Sequence, residues 1–380
     1  MAGWRYFATR LNGNGTETLL ESDLPLQGTN LVRVLSGDNT LSAQIEPRHQ
    51  RLIRGTKPIL TTWSTAIYAV SPDGLIRWGG IISDLDVNGP TISIDAVGFN
   101  GYARGMPWTD NGWFGVKVDP LDVVRRIWQH LQSKPGGNLG LGLGAAKVGK
   151  LIGTELKQVE FDTESGPVSF ESGPVKLNWY STHDLGGFID DLASEYNFDY
   201  RESHAFRPDG TIRHDLTFGY PKLGRRRSDL KFIHGVNIFS DLDYVDDGDI
   251  YASGVMVLGA GEGAAMVKAI EEPIIRPDGR LRRVKVITDT HIGATKTAQS
   301  RAKRELQWRR TVQDISSVTV RNHPNARIGS VDVGDEIRIE GRGEWGTLDL
   351  WVRVTEISWS PDDSDEETYT VVRTDKLSED

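Results

Sequence analysis

The sequence predicts an α+β protein that is mainly β, with two antiparallel β-barrel-like domains and two smaller helix-containing α+β domains inserted between them. Three observations predict this class: apolar and polar residues alternate between turn residues over the first hundred positions, apolar residues recur at helical spacing in the middle, and strand patterns return after residue 237. A chain of 380 residues has room for about two to four domains. The changes of period place them at 1–110, 111–181, 182–236 and 237–380.

Paired strands joined by tight turns are predicted for the N-terminal domain. Its hairpin signals are Asn12-Gly13-Asn14-Gly15, Ser71-Pro72-Asp73-Gly74 and Asn88-Gly89-Pro90, each between two runs of alternating apolar and polar residues. In the second of these, proline at the second turn position and glycine at the fourth fit a type I turn. The pattern indicates an antiparallel barrel or sandwich.

Two helices and a hairpin are predicted for the middle of the chain. Asp119-Pro120 is an N-cap and first-turn signal, and the apolar period that follows it stops at Pro135-Gly136-Gly137. A second helix runs to Tyr196 from a predicted cap at Thr182. The glycine-rich stretch 138–148 between the helices is predicted to be a flexible loop. Strands at 198–206 and 211–218 are joined by a turn, Arg207-Pro208-Asp209-Gly210.

The C-terminal domain is predicted as strands with one helix. The helix, at about 294–310, is polar and basic, and its thin stripe of Ala298, Ala302 and Leu306 suggests that it lies over a sheet. The acidic run 362–367 is predicted to be a solvated loop.

Composition excludes several kinds of chemistry. With no cysteine in the chain, disulfides, thiol nucleophiles, iron–sulfur clusters and Cys-based zinc sites are ruled out. A net charge of −9 opposes general nucleic-acid binding, which needs an excess of cations on a surface. No apolar run reaches the ~18 residues of a spanning helix, and no secretory signal opens the sequence, so we expect folding in a cytoplasm. The 42 glycines and 11 tryptophans suit hairpins and extended interfaces.

Two glycine-rich segments resemble nucleotide-binding motifs but lack the neighbouring residues and elements that such motifs require. Gly259-Ala260-Gly261-Glu262-Gly263 lacks both the following helix and the acidic residue of a dinucleotide-binding unit, so it is interpreted as a hairpin turn. Gly149-Lys150 is followed by leucine instead of a hydroxyl residue, and the segment follows a helix instead of a strand. We therefore predict no cofactor.

Histidines and charged clusters give no positive sign of a reaction. None of the eight histidines has metal-ligand spacing. His204 and His214 face each other across a predicted hairpin and are interpreted as a surface pair. Arg225-Arg226-Arg227 has no interleaved aromatic residue for nucleic-acid stacking, which favours a solvated loop or a subunit contact. We predict no catalytic and no metal-binding residue. A glycosidase pair of carboxylates stays open, because such a pair has no fixed spacing in sequence.

A set of short motifs follows the order of elements along the chain: Ile76–Ile82, Ile92–Gly98, Ala298, Ala302 and Leu306 of the basic helix, Val318–Pro324, Ile328-Gly329 and Val333–Ile337. With these motifs in this order, the chain resembles the tail-hub family of tailed bacteriophages, including siphophage minor tail proteins and relatives of the central baseplate hub of contractile tails. They are loose patterns of small and aliphatic residues that span nearly the whole chain, and their order carries the resemblance.

The resemblance implies a non-enzymatic, structural subunit at the tail tip of the virion. It implies a homotrimeric ring, with two barrel-like domains per subunit giving pseudo-sixfold symmetry, that closes the tail tube and contacts the distal tail protein, the tape-measure protein and other tail-tip or receptor-binding proteins. Some relatives carry a wall-digesting or host-binding extension, and the end of this sequence at Asp380 suggests that the extension is missing. Because DNA has to pass without sticking, we expect an electronegative lumen.

Candidate interface anchors are large aromatic residues, on the condition that they are exposed on the monomer. They are Trp63, Trp108, Trp113, Trp345 and Trp351. The alternative for each of them is an ordinary core aromatic.

Two other functions compete with the hub. A cell-wall hydrolase acting through paired carboxylates predicts a deep cleft and a carboxyl group with a raised pKa. A receptor- or carbohydrate-binding virion module predicts exposed aromatic residues along one groove.

Overall fold

A computed structural model confirms the mainly β, α+β class. It describes residues 3–46, 52–54, 57–155, 157–163, 166–239, 244–246, 248–273, 280–289, 292–309, 313–343, 346–362 and 365–374, which contain 26 strands and three α-helices. Two compact units divide the chain. Unit one is Met1–Arg225, Arg327–Asp335 and Thr355–Thr368, and unit two is Arg226–Ala326, Glu336–Val354 and Tyr369–Asp380. Closure into barrels and the fourfold domain division stay predictions.

Unit one is built on antiparallel strands from the N-terminal third of the chain. Its strands are β1 Arg5–Leu11, β2 Glu17–Glu21, β3 Gln27–Val34, β4 Thr40–Ile45, β5 Ile53–Arg54, β6 Lys57–Pro58, β7 Thr65–Val70, β8 Ile76–Asn88, β9 Thr91–Gly98, β10 Trp113–Gly115, β11 Leu141–Leu143, β12 Lys157–Thr163, β13 Gly166–Ser172, β14 Val175–Leu177, β15 Asp199–Phe206 and β16 Ile212–Gly219. Neighbours in its main sheet follow the order β3-β4-β9-β8-β7-β1-β2, all antiparallel. All six residues of β7 are buried, because they are covered on both faces of the sheet.

Two helices pack into the core of unit one. Helix α1 is Pro120–Ser133, and its cap is the predicted one: the Asp119 carboxylate accepts from the amide of Leu121 at 2.9 Å. Helix α2 is Leu185–Tyr196, and its cap is Asp184, whose carboxylate accepts from the amide of Gly187. The prediction of Thr182 as the cap is wrong, since the Thr182 hydroxyl instead accepts from the amide of Asn178.

The glycine-rich stretch after α1 is more regular than the sequence predicts. Strand β11 lies within it and pairs in parallel with β16, so that Leu141 is opposite His214. The prediction of a flexible loop over 138–148 is therefore wrong at its centre. Backbone hydrogen bonds between β11 and β16 order this segment, which has few side chains that could pack.

Unit two contains the basic helix and the sheet beneath it. Its elements are β17 Phe232–Ile233, β18 Tyr244–Asp246, β19 Gly254–Leu258, β20 Lys268–Glu271, β21 Val284–Thr288, α3 Thr295–Arg309, β22 Gln313–Ile315, β23 Ser317–Arg321 and β24 Glu336–Gly343, while β25 Gly346–Trp359 and β26 Glu366–Arg373 cross the division between the units. The predicted hairpin at 259–263 is confirmed, because β19 and β20 pair antiparallel on either side of it. Ala298, Ala302 and Leu306 share one core with Val255 and Val257 of β19, which confirms that the helix lies over a sheet.

Two charged runs are exposed in part, as predicted, and buried in part. Arg225 and Arg226 are exposed, with Arg226 paired to Glu336 at 2.9 Å, whereas Arg227 is buried and pairs with Asp229, so the prediction of a solvated loop is wrong at Arg227 and a subunit contact stays a prediction. Asp362 and Asp365 of the acidic run are exposed, as predicted, whereas Glu367 lies in β26 and is 1% exposed, where it accepts from the indole nitrogen of Trp359 at 2.7 Å. Positions 363 and 364 of the acidic run lie outside the described residues. Among the helices of the described residues, none is long and apolar enough to cross a membrane.

Candidate functional site: a buried histidine pair and two flanking cavities

A buried pair of histidines stands at the centre of unit one. Strands β15 and β16 form a hairpin in register, and His204 lies directly opposite His214. Asp209 fixes the connecting turn by accepting from the amide and the hydroxyl of Thr211, and Gly210 supplies the left-handed backbone conformation, φ +82°. The pairing of the two histidines is as predicted. Their placement at the surface is wrong, because both side chains are buried.

The two imidazoles are joined to each other. The Nδ1 atoms of His204 and His214 are 2.8 Å apart, and Nε2 of His214 lies 2.7 Å from the Glu17 carboxylate. If Nε2 of His214 donates to Glu17, its Nδ1 is free to accept from Nδ1–H of His204. That tautomer leaves Nε2 of His204 as an acceptor without a hydrogen-bond partner, 3.7 Å from a carboxylate oxygen of Glu202.

Glu17 is the anchor of the pair. Besides His214, its carboxylate accepts from the Thr9 hydroxyl at 2.5 Å and from the Tyr68 hydroxyl at 2.8 and 2.9 Å. Burial alone would raise the pKa of Glu17, but the hydrogen bonds from His214, Thr9 and Tyr68 hold it below its usual value. Burial lowers the pKa of His214 against the opposing effect of Glu17. The arrangement therefore combines an ionised Glu17 with a neutral His214 at neutral pH.

Glu202 lies on the other side of His204. It is 3% exposed and accepts from the side-chain amide of Asn39 at 2.7 Å and from the backbone amide of Asn100 at 2.8 Å. Phe99, from a short 3-10 helix, stacks on His214 with ring centroids 4.4 Å apart. Strands β1, β2, β7, β15 and β16 thus meet at a buried network of hydrogen-bonding groups, in which Nε2 of His204 is left without a hydrogen-bond partner.

A cavity opens on each side of the hairpin. One, of about 510 Å³, is lined by Phe7, Leu19 and Phe206 and reaches Glu17 and His214. The other, of about 400 Å³, reaches Glu202 and His204. Carboxylates lie beside both cavities, but Glu17 and Glu202 are each engaged by internal donors, and the pKa of Glu17 is lowered. A glycosidase acid needs a raised pKa, so these two groups give the hydrolase hypothesis no support.

A second histidine cluster ties the end of α1 to the preceding loop. His130 is buried and stacks on Trp108 at 4.0 Å; its Nδ1 lies 3.0 Å from the Asp110 carboxylate, and its Nε2 accepts from the amide of Thr109 at 3.3 Å. Asp110, His130 and the Thr109 hydroxyl, which lies 3.3 Å from Nε2 of His130, follow the acid–imidazole–hydroxyl order of a catalytic triad. The backbone amide of Thr109, however, occupies the nitrogen that a general base would use. Burial lowers the pKa of His130. No sequence pattern indicated this cluster.

Metal chemistry has no support in the part of the chain that the structure describes, since no group of three His, Cys, Asp or Glu side chains there is arranged to hold an ion.

The five predicted interface tryptophans are not brought together. Trp63 is 55% exposed, while Trp108 is 5% exposed and belongs to the core. Trp113 is half-buried against the core of unit one, and Trp351, in unit two, is half-buried under the Arg226 guanidinium at 4.5 Å. Trp345 lies outside the described residues. Trp108 therefore fails the condition of exposure, and a role for the others stays a prediction.

Exposed aromatic residues that the sequence analysis did not single out are Phe114, Trp179 and Tyr180, with exposed fractions of 54%, 63% and 60%. The signal for Phe114 was available, since it alternates with the inward-facing Trp113.

Neither known protein families nor curated proteins match the sequence. Solved structures do. A 43 kDa tail protein of prophage MuSo2 from Shewanella oneidensis is 13% identical, with a TM-score of 0.56, over 98% of this chain and 99% of that one. Prophage tail protein gp18 from Listeria monocytogenes is 13% identical, with a TM-score of 0.52, over 97% and 95%. A tail protein from Neisseria meningitidis is 16% identical, with a TM-score of 0.50, over 97% and 96%. The resemblance inferred from the sequence is thus confirmed for the fold: over nearly its whole length, this chain has the fold of prophage tail proteins.

Proposed function

We propose that this chain is a structural subunit of a long-tailed phage particle, placed at the tail tip. The observation that carries the proposal is the extent of the structural match. Tail proteins align over at least 97% of this chain and at least 95% of their own length, so the comparison concerns an entire subunit and not a shared domain. A fold can host many functions, and for this reason the role is proposed instead of transferred.

In this role the subunit forms a homotrimeric ring that closes the tail tube and connects it to the distal tail protein, the tape-measure protein and host-recognition proteins. DNA passes through the ring without being bound, which a net charge of −9 favours because like charges repel. Trp63, Trp113, Trp345 and Trp351 remain candidate contacts with these neighbours.

A structural role also agrees with the chemistry of the buried cluster. Glu17 and His214 bond each other, His214 bonds His204, and Glu202 accepts from Asn39, all inside the protein, and this network joins side chains from five strands. We therefore assign the cluster to the stability of unit one.

The test is to locate the chain in phage particles whose genome encodes it. An affinity tag on the chain, labelled with gold and viewed by electron microscopy, is expected at the tail end distant from the head. Label on the head, or particles that lack the chain by mass spectrometry, would refute the proposal. Purified chain incubated with cell-wall glycan tests the hydrolase alternative, and release of soluble sugar would favour it.

A further inference from the structure

A small sheet in unit one exposes one face that carries aromatic residues. Strands β10 and β14 pair antiparallel, with Trp113 opposite Leu177 and Phe114 opposite Lys176. The first pair packs on the core, so the second points away from it. An isolated bridge between Ile152 and Val118, three residues beyond the end of β10, brings residue 151 close to the segment that follows this strand. The exposed apolar side chains here, which we call the aromatic face, are Phe114, Val116, Leu151, Trp179 and Tyr180, with exposed fractions from 40% to 63%.

Three lysines adjoin residues of the aromatic face: Lys117 follows Val116, Lys150 precedes Leu151, and Lys176 pairs with Phe114. Lys117, Lys150 and Lys176 are all exposed. Lys150 lies over the Tyr196 ring at 5.5 Å, and neither Lys117 nor Lys176 is in an ion pair with a described carboxylate. Grouped exposed aromatic residues mark sites of interaction, and the lysines give this site a positive charge within an acidic chain. The partner it fits is therefore apolar at its centre and acidic around it.

The same chain carries a surface with these properties. Residues 78–103 contain three carboxylates and no lysine or arginine. Strands β8 and β9 form a hairpin there, and Asp84, Asp86, Asp95 and Val87 are exposed, Val87 by 66%. We call this hairpin the acidic arm. Asp84 and Asp86 accept hydrogen bonds from the amide of Leu85 and the side chain of Asn88, and no ion pair engages the three carboxylates among the described residues.

We propose that the aromatic face of one subunit binds the acidic arm of a second copy of this chain. The lysines of one surface meet the carboxylates of the other, and Val87 meets the aromatic side chains. Because the two surfaces differ, the contact is heterologous, and repeating it either closes a ring or extends a filament. Ring closure rests on the proposed tail function, whereas the pairwise contact does not.

Two charge-reversed variants test the contact. Asp84→Lys with Asp86→Lys alters the arm and leaves the face intact, while Lys117→Glu with Lys176→Glu alters the face and leaves the arm intact. Sedimentation velocity up to about 0.1 mM measures self-association, since a contact with a dissociation constant in that range is then half populated. Unmodified chain is expected to associate, with weakening as salt increases. Each variant alone is expected to associate at least about tenfold more weakly.

The decisive sample is an equal mixture of the two variants. In the mixture the intact face of one variant meets the intact arm of the other, and the reversed face meets the reversed arm, so both contacts again join opposite charges. The mixture is therefore expected to recover association that neither variant shows alone. As the matched control for the arm variant, Asp23→Lys with Asp191→Lys makes the same change of charge at exposed positions outside both surfaces and is expected to associate like the unmodified chain. Circular dichroism verifies that each variant is folded.

The proposal is overturned if the unmodified chain stays monomeric at about 0.1 mM, if either variant alone associates as strongly as the unmodified chain, or if the mixture does not associate. A further result would also overturn the proposal: Trp179→Ser blocks particle assembly, but the mixture of variants fails to associate. That combination would assign the aromatic face to contact with a different tail protein. If the chain is absent from phage particles, the proposed tail function is refuted, but the association measured in the mixture of variants is unaffected. Failure of the tail function and failure of the contact are therefore distinguishable.

Discussion

Replacing Glu17 with glutamine tests whether its carboxylate holds the buried histidine pair. The carboxylate accepts from Thr9, Tyr68 and His214 at 2.5–2.9 Å. A hydrogen bond to a charged group contributes about 1.5–3 kcal/mol and a neutral one about 0.5–1.5, so Glu17→Gln weakens each of the three by about 1 kcal/mol. A neutral amide is easier to bury than a carboxylate, which returns part of this loss. We expect unit one to lose about 1–3 kcal/mol of unfolding free energy.

The assay is urea unfolding, with hydrogen exchange of β1 and β7 to locate the loss in unit one. Glu21→Gln is the matched control, because Glu21 lies in the same strand and its carboxylate accepts from exposed amides; its effect is expected within about 0.5 kcal/mol. Tyr68→Phe should cost about 1 kcal/mol less in the Glu17→Gln background than in the unmodified chain, since the two side chains share a bond. A Glu17→Gln variant as stable as the unmodified chain, or additive with Tyr68→Phe, would refute this account.

Three further predictions concern stability. A Cβ at residue 98 would collide with the Glu202 carboxylate, so Gly98→Ala should cost about 1–3 kcal/mol, and an unchanged urea midpoint would contradict this. In the unfolded chain His214 has a pKa near ~6.5, and burial lowers the pKa of His214 in the folded chain. The contribution of neutral His214 to the unfolding free energy is therefore complete above the unfolded pKa and is lost as the pH falls below it. Equal urea midpoints at pH ~7.5 and ~5.5 would be inconsistent with a neutral buried His214. Glu367→Gln weakens the bond from Trp359 and should cost about 1–3 kcal/mol, measured by urea unfolding, whereas no loss would mean that the bond contributes nothing.

Much of the secondary structure could be predicted, because it depends on neighbours in sequence. The cap of α1 and its apolar stripe are local, and the basic helix could be placed over a sheet from three small apolar residues. The errors arose where distant strands supply the hydrogen bonds. Strand β11 forms in a glycine-rich stretch only because β16 pairs with it, and no local pattern contains that information.

The site was harder to predict than the fold for the same reason. Hairpin spacing placed His204 opposite His214, but burial of the pair depends on Glu17, 187 positions before His204 in the chain, which arrives through a different strand. A polar pair on a hairpin belongs to the surface unless partners from other elements cover it and satisfy its hydrogen bonds. Glu367 follows the same principle, since Trp359 and the amide of Gly329 turn an acidic residue of an apparent loop into a buried one.

Net charge conceals how the charges of this protein are distributed. Three arginines are engaged inside the subunit: Arg33 and Arg201 both reach Asp332, and Arg104 reaches Asp38 and Asp190. A planar guanidinium that bonds two carboxylates suits such internal use, whereas a lysine, with one flexible ammonium, remains hydrated at the surface. The division explains how a chain of net charge −9 presents lysines around the aromatic face and unpaired carboxylates on the acidic arm. Two surfaces of opposite charge on one subunit favour head-to-tail contacts over symmetric ones, because a symmetric contact would bring like charges together.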